Sequence, residues 1–118
     1  SNYFRLIIWF LFIATAFSPF IYTYAKIAFD NIPNNMPHFN LYMQNLVVKR
    51  DRDAMMAAYD RVLPIVRGDN RRTIRKIFLR SIGQISNIGD PYTLQKAEEA
   101  FKLFPNDNDF FELYRIFS

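Results

Sequence analysis

The sequence predicts an all-α protein: an N-terminal single transmembrane helix followed by a small bundle of short helices arranged as hairpins. Three observations predict it. Residues 6–25 carry no charge. Beyond residue 40, apolar residues recur every three or four positions, with no strand-like alternation. Caps, glycines and prolines fall between these periodic stretches, where helices start and stop. A chain of 118 residues holds one small domain at most. The absence of cysteine excludes disulfides, thiolate metal sites and cysteine nucleophiles. The mean hydropathy of −0.08 is the average of two unlike parts, an apolar N-terminal quarter and a moderately polar remainder.

The first element is LIIWFLFIATAFSPFIYTYA, lying between Arg5 and Lys26. Its twenty residues span roughly 30 Å as a helix, the thickness of a bilayer's hydrocarbon core. Ten Leu, Ile and Phe residues contribute about −3 to −6 kcal/mol toward insertion, offset in part by Thr15, Ser18, Pro19 and Thr23. Tyr3, Phe4 and Trp9 at one end, and Tyr22 and Tyr24 at the other, suit the headgroup level. A cleavable secretory signal ending at Ala14-Thr15-Ala16 fits less well, because the apolar run continues well past Ala16. Pro19 removes a backbone donor and crowds the carbonyl of Thr15, which predicts a kink. Ala14 and Ser18, four apart and small, form with Pro19 a candidate helix-packing surface inside the membrane. Arg5 and Lys26 balance one another, so orientation is undetermined.

The organisation expected is an anchor over residues 1–29, a linker over residues 30–40 and a helical extramembrane module over residues 41–118. The linker reads DNIPNNMPHFN, with two prolines and four asparagines. Asn40 is the expected cap of a helix carrying Leu41, Met43, Leu46 and Val47 and ending near Lys49. Asp51 or Asp53 caps the next, with Met55, Met56, Tyr59, Val62, Leu63 and Val66 on it and Pro64 ending or kinking it. Gly68 stops the chain, and Asp69 or Asn70 starts a third helix running to about Asn87. Its apolar face is Ile74, Ile77, Phe78, Ile82 and Ile85. After Gly89, Asp90-Pro91 places a cap before a first-turn proline. The fourth helix is expected to bury Leu94, Ala97, Phe101 and Phe104 and to end before Pro105. A polar turn over residues 106–109 precedes a short last helix with Phe110, Leu113, Tyr114 and Phe117.

Within the fourth helix, AEEAFKLFP carries Ala100, Phe101 and Pro105. At these offsets it resembles the end of the second helix of a tetratricopeptide repeat. Joined to residues 71–88 it makes a helical hairpin close to that repeat's length. The Trp, Gly and Tyr positions of the repeat's first helix are not matched. The resemblance implies stacked helical hairpins and protein binding over about 35 residues at most.

Charge is unevenly placed along the chain. Residues 49–80 hold ten Lys and Arg against four Asp, whereas residues 81–118 hold three against six acids. Arg72, Lys76 and Arg80 repeat every four residues on one helix face, with Arg75 beside them. They are candidate contacts to anionic lipid or to an acidic partner, or else a solvated face. Nucleic-acid binding is not expected, since no recognition motif accompanies the basic residues. Phe110 and Phe111 are consecutive and cannot both face inward from one helix, which makes the pair candidate partner contacts.

Catalytic chemistry finds little support. His38 is the sole histidine, so no triad or multi-histidine metal site is expected. Asp107-Asn108-Asp109 lacks the glycine and later acids of a calcium loop and reads as a turn and cap. The expectation is a non-enzyme with no cofactor, metal or small-molecule substrate, partnered by other membrane protein subunits and membrane lipids. The function expected is a non-catalytic, single-span accessory subunit of a larger membrane complex, with a respiratory-chain assembly of the mitochondrial inner membrane as the setting. The alternative is a membrane-tethered helical-repeat adaptor that binds a partner protein or peptide.

Overall fold

The computed structural model describes residues 19–118 as six helices, with no strand among the described residues. They are α1 (Pro19–Asn31), α2 (Met36–Lys49), α3 (Arg52–Val62), α4 (Asp69–Ile85), α5 (Pro91–Leu103) and α6 (Asn108–Phe117). Most of the uncharged run, the carbonyl of Thr15 that a kink at Pro19 involves, and the pair Ala14 and Ser18 lie outside the described residues. No described helix is long and apolar enough to cross a membrane.

The segment expected as a linker over residues 30–40 is mostly helical. Only residues 32–35 join α1 to α2. Asn35, not Asn40, is the cap: its side chain accepts a hydrogen bond from the His38 amide at 2.9 Å, and Pro37 sits in the first turn. Proline is tolerated there because the first amides of a helix lack intrahelical partners. The asparagine and proline that suggested a loop are therefore a helix start. α2 ends at Arg50, whose φ of 56° is the left-handed conformation that lets its amide reach back to Leu46 and Val47.

The later elements follow their local signals. Asp51 caps α3 by accepting from the Ala54 amide, and α3 stops at Val62, just before Pro64. Gly68, at φ 58°, leads into α4. Arg71 donates to the Leu63 carbonyl at 2.7 Å, closing the turn between α3 and α4. Asp90 accepts from the Thr93 amide and also takes a 2.7 Å hydrogen bond from Arg52. That guanidinium and amide hold its carboxyl below the usual carboxylate range. Asp90→Ala removes a cap and an inter-helix ion pair together, and is expected to lower stability by about 1.5 kcal/mol in denaturant unfolding.

Consecutive helices run antiparallel, so α2, α4 and α6 point the same way. α4 packs on both α2 and α6, while α3 and α5 each pack against their chain neighbours. The result is an all-α packing with α4 at its centre, in contact with α2, α3, α5 and α6. α4 buries Ile74, Phe78, Leu79 and Ile82, with Ile77 and Ile85 half-buried beside them. On α5 the buried line is Thr93, Ala97 and Ala100, while Phe101 and Phe104 are half-buried. Small residues on this line bring the α5 backbone close to its neighbour, and the Thr93 hydroxyl lies 2.8 Å from that of Ser86.

α1 belongs to the same core. Ala25 and Phe29 are buried, and Phe29 stacks on Tyr42 at 5.0 Å between ring centroids. Arg61 of α3 donates to the Asp30 carboxylate and to its backbone carbonyl, both at 3.1 Å. The residues that close the uncharged run are thus built into the helical stack.

Candidate functional site

The basic stripe on α4 faces acidic residues of the same chain, with Lys76 and Arg80 three-quarters covered and Arg72 nearly half exposed. Lys76 Nζ lies 2.8 Å from Asp107 and 3.3 Å from Asp109, and Arg80 lies 2.7 Å from Asp109. Arg72 approaches Asp69 at 3.9 Å and Asp107 at 4.0 Å. Asp107 also caps α6, accepting from the Asp109 amide, and its side chain is only 7% exposed. Burial there opposes ionisation, but Lys76 and the α6 amides outweigh it and hold the carboxyl below its usual range. Of the residues read as an anion-binding face, Lys76 and Arg80 clamp α6 onto α4. The acidic partners lie about thirty residues downstream, where α6 runs parallel to α4 and in register with it.

Arg75 departs further from the expected surface role. One position from Lys76 is about 100° of rotation, which turns it toward α3. It is buried and donates to the Tyr59 hydroxyl at 3.2 Å. Burial pushes the Tyr59 phenol up to about 12, against the lowering pull of Arg75. Arg75 is a core residue, not a lipid or partner contact.

The consecutive phenylalanines separate as helix geometry demands. Phe110 is fully buried, 5.7 Å from Phe104 between centroids, so it is excluded as a partner contact. Phe111 is 43% exposed, with its ring 5.6 Å from that of Phe101 between centroids. Ile116 is also exposed, about 140° further round α6.

An open groove lies between α2 and α4, about 470 Å³ in volume and lined by Met36, Pro37, Asn40, Ile77 and Arg80. Its α2 wall falls in the stretch whose composition suggested a linker, which is why these residues escaped the sequence reading. The capping potential of Asn35 two residues before Pro37 was the signal that would have found it. The groove is mixed in character, with methionine, proline and isoleucine beside an amide and a guanidinium.

α1 has two apolar faces. Tyr22, Ala25 and Phe29 pack inward, whereas Phe20, Tyr24 and Ile27, spaced four and three apart, are exposed. Among the described residues no group of three or more His, Asp or Glu side chains is placed to hold a metal ion. Asp107 and Asp109 serve as cap and ion-pair partners. Compared with known proteins, the chain matches no family model, no curated protein and no solved structure.

Proposed function

We propose that this chain is a membrane-anchored, non-catalytic interaction protein whose helical stack holds a segment of a partner protein. The observation that carries this reading is the groove between the first turns of α2 and the middle of α4, open to solvent. The uncharged, aromatic-flanked run before Tyr24 supplies the anchor.

A second form of the same reading is a permanent accessory subunit. It is favoured by α6, which ends the stack yet leaves Phe111 and Ile116 uncovered. Terminal helices of stacked arrays ordinarily carry a polar outer face, since nothing follows to cover it.

Extraction in mild detergent followed by native electrophoresis tests both. The full chain is expected to migrate in an assembly larger than itself. Asn40→Arg, a half-exposed groove position, releases it if the groove holds the partner. Phe111→Ser releases it if the end of the stack is the contact. Migration of the unsubstituted chain as a free monomer overturns both forms.

A further inference from the structure

The end of the stack at which the apolar run arrives is set by three contacts. Lys49 Nζ lies 4.1 Å from the centroid of the Tyr22 ring, which brings the turn between α2 and α3 level with the first described turn of α1. Arg52 donates to Ser86 at 3.1 Å and to Asp90 at 2.7 Å, which brings the turn between α4 and α5 to the same end. Pro19, residues 48–52 and residues 86–90 therefore share one pole of the molecule. The opposite pole, with Ile65 and Leu103, is one α4 length away, about 25 Å.

Both poles expose apolar tips, with Ile32 at 51%, Ile65 at 48% and Leu103 at 57% on the far side, so it is the arriving apolar run that singles out the first. Phe20 is 88% exposed, Ile88 is 80% exposed and Val48 is 37% exposed. Lys49 and Arg50 are exposed between them. Isoleucine at the tip of a two-residue turn serves no packing role, and a solvated turn ordinarily carries a polar residue there. Tyrosines 22 and 24 lie at the same level, one packed beneath Lys49 and one exposed. Aromatic rings, aliphatic tips and basic side chains at one height are the composition of a bilayer's headgroup zone.

We propose that this pole is a lipid-facing surface, with Val48 and Ile88 dipping among the headgroups and Lys49 and Arg50 meeting the phosphates of anionic lipids. The proposal rests on the anchor reading and extends it. Because Ala25 is buried against the stack, the membrane boundary falls near Tyr22 and not at Lys26. The stack then sits directly on the membrane, held by α1 without an intervening flexible linker. Its groove is consequently presented at a defined height above the bilayer.

Depth-dependent fluorescence quenching tests this with the full chain in phosphatidylcholine–phosphatidylglycerol vesicles. Trp9 is the only tryptophan, so Trp9→Phe gives a silent background for Val48→Trp, Ile88→Trp and, at the far pole, Leu103→Trp. All three added positions are exposed, so the core is not disturbed. Lipids spin-labelled at the headgroup are expected to quench positions 48 and 88 about threefold more strongly than position 103. Replacing the anionic lipid by phosphatidylcholine, or introducing Lys49→Gln with Arg50→Gln, is expected to reduce quenching at position 88 about twofold. Positions 48 and 88 quenched no more than 103, with native Trp9 strongly quenched by chain-labelled lipid, overturn the proposal and leave the anchor standing. An unquenched Trp9 overturns the anchor and the proposal with it.

Discussion

Phe78→Ala is expected to lower stability by about 4 kcal/mol, the largest effect of any single substitution considered. Phe78 is fully buried on α4 at the point where α3 and α5 meet it. Its ring lies flat on Tyr59, 3.9 Å between centroids and 3° between planes, and meets the edge of Tyr92 at 6.4 Å. Truncation removes the buried ring and leaves a cavity bounded by two aromatic residues from different helices, which cannot both collapse into it. It also loosens Tyr59, the hydrogen-bond partner of buried Arg75. Domains of this size are stable by about 5–15 kcal/mol, so the loss is a large share of the total. Denaturant unfolding followed by circular dichroism measures it. Phe78→Leu keeps most of the volume and is expected to cost about 1.5 kcal/mol. Equal losses in the two variants would mean that the ring stack, not the filled volume, dominates.

The second large effect is at Asp107. Asp107→Ala is expected to cost about 3 kcal/mol, because it deletes the α6 cap and strips Lys76 of its nearest counter-charge in a half-buried site. Asp107→Asn keeps the capping oxygen and is expected to cost about half as much. The same residue gives the pH dependence its sign. Its folded-state pKa lies below its ordinary value, so its contribution is complete above about pH 4 and is lost as pH falls through the lowered folded value. Unfolding midpoints recorded between pH 7 and pH 2 should therefore fall steeply below about pH 4, and less steeply in Asp107→Asn. Charge reversal at Lys76 and Arg80 is expected to detach α6 and destabilise the fold, since both cations face Asp109. A fold left intact by that reversal would return the stripe to a surface role.

These two sites differ in how far they could be read from residues alone. Phe78 stands in the Ile74, Ile77, Phe78, Ile82, Ile85 stripe, and a 3.6-residue period declares a buried face whatever it packs on. The acceptors of Lys76 and Arg80 stand on a helix about thirty residues away, and no local period links the two. The stripe was visible and its destination was not. At Phe110 and Phe111 the sequence showed that only one ring could turn inward, and the packing of α6 against α5 chose Phe110.

Local chemistry by itself determined the helical class and most of its punctuation. Asp51, Gly68, Asp90-Pro91 and the stop before Pro105 act within a few residues, through caps, positive φ and the missing proline amide. The boundary at Asn35 was equally local, but its prolines and asparagines also describe a loop, and only the packing of α2 against α1 and α4 decided between them. α1 was ambiguous for the opposite reason. A helix with two apolar faces has no single period to show which is buried, and the stacking of Phe29 on Tyr42 settled that Tyr22, Ala25 and Phe29 turn inward. Signals that close within one helical turn are written in the sequence. Which charges meet, and which apolar faces stay uncovered, depend on helices brought together across the whole chain, and only the tertiary structure decided them.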